Sequence, residues 1–132
     1  MNLKDRTNLL KDSCTRIPYG VKCQCLGRVG TIRSIDTFGN TEVEGFNGSI
    51  VIDVSHVKPY LFPLSSMTEE QKKELDRAIY EDGKEAMDAI RNNDKMFHTP
   101  WRATDWLNKN YFDYRGLIDK GLAINASGLN IY

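Results

Sequence analysis

The stretch TEVEGFNGSIVIDV, residues 41–54, holds two alternating runs of apolar and polar residues around an Asn-Gly step. Asn47-Gly48 is the pair that a two-residue type I′ turn prefers, because both of its central positions need positive φ. The pattern predicts a β-hairpin with Phe46 opposite Ser49, Glu44 opposite Val51 and Glu42 opposite Asp53. One face then carries Thr41, Val43, Gly45, Ile50, Ile52 and Val54, and this face packs inward. The other carries Glu42, Glu44, Phe46, Ser49, Val51 and Asp53. Like charges directly opposite each other, as with Glu42 and Asp53, are unfavourable. That acidic side could hold a cation or a basic partner. Neutralisation by Lys22 or Arg33 on a neighbouring strand needs fewer assumptions.

Upstream, VKCQCL (21–26) alternates, with Val21, Cys23 and Cys25 on one face. RVGTIRSID (28–36) reads as a second strand. Its Ile32 and Ile35 fall on opposite faces unless a bulge near Gly30 or Ser34 intervenes. Residues 2–15 predict a short amphipathic helix that places Leu3 and Leu10 together, and IPYG (17–20) ends it. Four or five short strands with tight turns indicate a small curled antiparallel sheet or an SH3-like barrel over about residues 21–58.

Downstream, the two prolines of KPYLFP (58–63) suit an extended crossover that closes the β region. Thr68 with Gln71 three residues on forms a capping box, and Glu69 and Glu70 suit the positive end of a helix dipole. A long helix is expected over about 68–92, with Leu75, Ile79, Ala86 and Ile90 on one stripe. Gly83 in its middle costs about 1 kcal/mol relative to alanine. KMFHTPW (95–101) reads as a loop. A short helix follows at about 103–110, capped by Thr104 or started near Pro100. From Tyr111 the chain reads as an irregular tail turning at Gly116, Gly121 and Gly128. The fold class is therefore α+β, one domain, with an N-terminal helix (1–15), a β module (17–60) and a helical C-terminal part (64–132).

Eighteen basic residues balance eighteen acidic ones among 132, and the halves differ little. Nothing supplies the basic field that phosphate-backbone binding needs, so nucleic acid is disfavoured. No apolar run approaches the roughly 20 residues that span a bilayer, and the start has no signal-peptide core. Three cysteines do not make a disulfide framework, so a cytoplasmic, reducing setting is expected. Cys23 and Cys25 could serve as thiolate ligands, but structural zinc normally needs four ligands. Two small buried thiols beside Val21 is the better reading. His56 and His98 have no partner at a spacing that suggests a dyad. GRVG is too short for a dinucleotide fingerprint. No cofactor, metal or catalytic residue is expected, and a binding role is preferred to an enzymatic one.

The aromatic block WLNKNYFDYRGLID (106–119) admits two readings. Trp101, Arg102, Trp106, Tyr111, Tyr114 and Arg115 could form a platform of rings and guanidinium groups for a peptide or a base. Alternatively, the large side chains close a core that one sheet and one helix leave open, at about 150–250 Å² each. Core closure is favoured, with Trp106 and Phe112 buried and Arg115 at the rim, stacked on a ring or paired with Asp113.

IPYGVKC (17–23), VKPYLFPLSSMTEEQ (57–71) and DWLNKNYFDYRGLIDKGLAINA (105–126) together resemble three blocks of a family of small uncharacterised proteins. That family is abundant in bacteriophages and mobile elements of Bacteroides-type gut bacteria. The resemblance implies a bacterial cytoplasm and a small accessory protein, and it carries over no catalytic residue. The expected function is binding of a partner protein. A nucleotide-sequestering counter-defence protein and a nucleic-acid-binding small barrel are the alternatives, and a homodimer is a further expectation, since pairing helices buries more apolar surface.

Overall fold

The computed structural model describes residues 1–92 and 101–132. Most of the KMFHTPW loop, with His98 and Pro100, lies outside the described residues. The chain opens with helix α1 (Leu3–Arg16), where the Asn2 side chain accepts the Asp5 N–H. Four strands follow: β1 (Lys22–Cys25), β2 (Arg28–Ile35), β3 (Asn40–Glu44) and β4 (Ser49–Asp53). Then come β5 (Lys58–Pro63), the long helix α2 (Glu69–Arg91), helix α3 (Arg102–Lys109), and two short strands, β6 (Phe112–Asp113) and β7 (Ile124–Asn125).

Strands β1 to β4 form an antiparallel meander, and β5 pairs antiparallel with β1. The order across the sheet is β4-β3-β2-β1-β5-β6, and β7 also pairs with β5. The fold is α+β as expected, but the sheet stays open, so the SH3-like barrel is not formed. The extended crossover expected at 58–63 is in fact a strand. Both prolines take register positions in ladders only two residues long, Pro59 opposite Cys23 of β1 and Pro63 opposite Asp113 of β6. The tail expected to be irregular supplies β6 and β7, both parallel to β5.

The hairpin keeps its expected faces and shifts its register. Val43 opposes Ile50 and Glu44 opposes Ser49, leaving a four-residue loop instead of a two-residue turn. Gly45 takes φ 122, so the strand turns two residues early, and Gly48 O accepts the N–H groups of Gly45 and Phe46. The freed Phe46 ring packs on the sheet core with Arg28 5.7 Å from its centroid. A two-residue slip preserves the pleat, so Thr41 and Val43 remain fully buried. Glu42 now opposes Val51, and Asp53 opposes Asn40. Arg33 pairs with Glu44, as the sequence suggested, while Arg6 of α1 reaches Asp53 at 2.8 Å. The arginine, helped by the Ser55 hydroxyl and N–H, holds the Asp53 carboxyl well below the usual range. The expected bulge falls between Ile32 and Ser34 and turns Ile32 fully inward.

Two apolar clusters fill the interior. One lies on the meander and joins Val21, Cys23, Cys25, Ile32, Val43 and Val57. The thiols are the small buried groups expected. Burial, then the neighbouring Cys25, raises the Cys23 pKa to about 12. Among the described residues no group of three His, Cys, Asp or Glu could hold a metal ion. The second cluster joins Leu9, Val54, Leu61, Leu117, Leu122 and Ala123, and Tyr111 packs against both. In α1 the buried residues are Leu9, Asp12, Ser13 and Arg16, and Leu3 is exposed, so the buried stripe is rotated from the Leu3–Leu10 line.

The capping box at Thr68 and Gln71 forms as read. Yet none of the 23 residues of α2 is buried, and its Ile79 and Ile90 are exposed. Helix α3 is not capped by Thr104. Asp82 of α2 caps it instead, accepting the N–H groups of Arg102 and Ala103 at 3.1 and 2.9 Å. No helix among the described residues is long and apolar enough to cross a membrane.

Gly30 of β2 lies hard against β3. A Cβ there would lie 2.5 Å from Val43 Cγ1 and 2.8 Å from the Glu44 carbonyl oxygen. The carbonyl belongs to the sheet ladder and cannot rotate away. Gly30→Ala is expected to lower stability by about 1–3 kcal/mol, measured by urea denaturation, with Gly27→Ala, which meets open space but a positive φ, as the comparison.

Candidate functional site

The six residues singled out in the sequence do not converge on one cleft. They divide among three places. Trp101 and Arg102 sit at the start of α3, beside α2. Trp101 is exposed, with the Arg102 guanidinium 5.6 Å from its ring centroid, and Arg102 pairs with Glu85 and, at 3.6 Å, with Asp82. Arg102 docks α3 on α2, and Trp101 lies exposed beside it.

Trp106 and Tyr111 sit at opposite ends of a row of rings. Trp106 stacks on Phe112 at 5.6 Å, and Phe112 leans on Phe62 at 6.2 Å. Phe62 leans on Tyr132 at 6.0 Å, and Tyr132 stacks on Tyr111 at 3.7 Å. The row follows from β5 pairing with β6, which sets Phe62 beside Phe112. Trp106 Nε1 donates to Glu74 Oε2 of α2 at 3.0 Å. The Tyr132 hydroxyl accepts the Lys22 N–H and donates to the Tyr60 carbonyl, stapling β1 to β5. Burial raises the pKa of Tyr132 and, less strongly, of Tyr111. Tyr111 has φ 61, unusual for a bulky side chain, and this turn carries the chain from α3 into β6. Phe112 is 2% exposed, so core closure is observed at that ring, while Trp106 is half-buried.

Phe62, Tyr111, Phe112 and Tyr132 form the apolar wall of an open cleft of about 550 Å³. Lys109, Asn110, Gln71 and Thr68 stand on its other sides, and among the described residues no carboxylate side chain lines it. The cleft can take a flat or apolar group on its wall and a polar or anionic group at Lys109.

Tyr114 and Arg115 belong to a third place, a polar centre inside the fold. Asp12 and Arg16, one turn apart on α1, are both fully buried. Arg16 donates to both Asp12 oxygens, at 2.9 and 3.1 Å, and to the Phe112 and Leu107 carbonyls, at 2.6 and 3.4 Å. Arg115 Nε lies 3.3 Å from Asp12 Oδ1, an ion pair without hydrogen-bond geometry. Both guanidinium groups lie just over 5 Å from the Tyr114 centroid, and the Tyr114 hydroxyl donates to Asn108 Oδ1 at 2.8 Å. The pairing of Arg115 with Asp113 is replaced, because Asp113 accepts the Leu117 and Ile118 N–H groups, each at 2.9 Å.

Sequence reasoning passed over Asp12 and Arg16. Their i, i+4 spacing was visible, but such pairs are common on solvated helix faces. It also passed over Phe62 and Tyr132, whose place in the row depends on the parallel pairing. Compared with protein-family models, curated proteins and solved structures, the chain matches none. The resemblance to phage and mobile-element proteins therefore rests on the three residue blocks alone.

Removing one partner of a fully buried ion pair strands the other. Asp12→Ala is expected to cost about 3–5 kcal/mol, read from the urea midpoint. Asp12→Leu combined with Arg16→Met should recover a large part of that loss. If the double change is as damaging as the sum of the two single changes, the pair is not coupled as described.

Proposed function

We propose that this protein is a non-enzymatic binding module that grips a partner protein on the outward face of α2. The observation that carries this reading is the exposure of Ile79, Tyr80, Met87 and Ile90 along one helix of 23 residues with no buried position. Isolated exposed apolar residues are ordinary; four at helical spacing on one face form a contiguous patch. An amphipathic helix that lays its apolar face into a groove is a recurring mode of protein recognition. The setting proposed with it is that of a small accessory protein of a phage or mobile element, in a bacterial cytoplasm. With Tyr80 replaced by a photo-crosslinking phenylalanine analogue, irradiation of producing cells should give a discrete protein adduct. Adding Met87→Asp should cut its yield about tenfold, a loss of about 1.4 kcal/mol. No adduct, or one indifferent to Met87, rules the reading out.

The cleft beside Lys109 favours a second reading, a nucleotide ligand with its base against the Phe62–Tyr111 wall and its phosphate at the lysine. It predicts a thermal shift with cyclic or linear nucleotides, equivalent to more than about 1 kcal/mol at saturation and lost in Lys109→Ala. A null across both classes sets this reading aside.

A further inference from the structure

Arg115 borders a second space besides the polar centre. It lines an open groove of about 550 Å³ between α1 and the turn that follows β2. Leu10, Cys14 and Ile35 line the same groove, and its surface is almost wholly apolar. None of its residues belongs to the cleft at Lys109.

Two cations stand at this apolar surface. Arg115 keeps 29% of its side chain exposed, and its buried Nε has no hydrogen-bond partner. The carboxylate it meets, Asp12, already gives both oxygens to Arg16, and Asp113 is occupied by the Leu117 and Ile118 N–H groups. Among the described residues, two guanidinium groups therefore share a single carboxylate. Lys11, the second cation, is exposed, and among the described residues it forms no ion pair. Asp36 also borders the groove, but its carboxylate is engaged by its own turn. Its Oδ1 accepts the Phe38 and Asn40 N–H groups, each at 2.9 Å, and its Oδ2 accepts from the Asn40 side chain at 2.8 Å. The groove thus sets unanswered positive charge beside apolar surface, where a hydrogen bond to a charged group is stronger than in open water. The molecule that complements it carries one anionic head on an apolar body. A carboxylate matches the planar guanidinium, and it brings less charge to the apolar floor than a phosphate dianion.

We propose that this groove binds a small carboxylate with an apolar body, its head at Arg115 and Lys11 and its body along Leu10, Cys14 and Ile35. Cys14 supplies the reporter, because it is exposed while Cys23 and Cys25 are buried. Iodoacetamide should therefore place one adduct on the folded chain, counted by intact mass. Octanoate and phenylpropanoate, each below the concentration at which it forms micelles, should slow that alkylation saturably. Acetate, the head alone, should give no protection. Octanol, the body alone, should bind about tenfold more weakly than octanoate. Lys11→Glu should weaken octanoate about fivefold and leave octanol unchanged, and Arg115→Gln should erase the difference between the two. If Arg115→Gln admits three adducts, its fold is loosened, and Lys11→Glu, at an exposed position, decides by the same difference. Protection by neither carboxylate overturns the proposal. Octanol as effective as octanoate, or an octanoate advantage that survives both substitutions, overturns the head position. Protection by acetate equal to that by octanoate overturns the apolar floor.

Discussion

A carboxylate and a guanidinium taken wholly out of water hold the two ends of this chain together. Such a pair is tolerable only when nearly every polar atom is satisfied, since desolvation of each ion costs several kcal/mol, as a rough figure. Asp12 and Arg16 meet that condition by recruiting distant groups. Arg16 spends its remaining donors on the carbonyls of Leu107 and Phe112, and Arg115 adds a second cation beside Asp12. The position of α1 is thereby tied to the α3–β6 junction. The chain in that junction cannot shift without stranding a buried charge.

That tie explains why the aromatic block behaves as it does. Once Phe112 is anchored through its carbonyl, β6 lies beside the end of β5, and Phe62 meets Phe112. Leu117, Leu122 and Ala123 then fold over α1 and complete the second cluster around Leu9. Tyr111 stands between the two clusters and accepts an unusual backbone conformation there. The interior is thus closed by the C-terminal segment rather than by the long helix. Helix α2 is left to contact α3 through the polar side chains of Glu74, Asp82 and Glu85, while its Ile79, Tyr80, Met87 and Ile90 stay outside. That uncovered surface is what the proposed partner binding rests on.

Local chemistry was readable where one element decided its own shape. The Thr68 capping box, the β1 pleat that buries Cys23 and Cys25, and the inward face of the hairpin all follow from residue spacing. The hairpin register did not follow, because Gly45 permits an earlier turn and Phe46 gains a packing site by it. The cap of α3 did not follow either, since its acceptor, Asp82, comes from another helix. Of the six candidate site residues, only Arg115 was given a neighbour that the structure keeps, a stacked ring. Trp106 and Tyr111 take theirs from strands that pair across more than forty residues of chain, Arg102 takes its partners from α2, and Arg115 takes its carboxylate from α1.

By itself the sequence determined the α+β class, the alternation that buries one face of the meander, and the start of α2, because periodicity and caps act within a few residues. Tertiary structure alone decided that the sheet stays open, that Pro59 and Pro63 sit in a strand, and that α2 leaves Ile79, Tyr80, Met87 and Ile90 exposed. Those outcomes depend on which distant groups satisfy a buried charge and a free strand edge. That choice is a competition among the whole chain's contacts, and no single stretch of residues contains it.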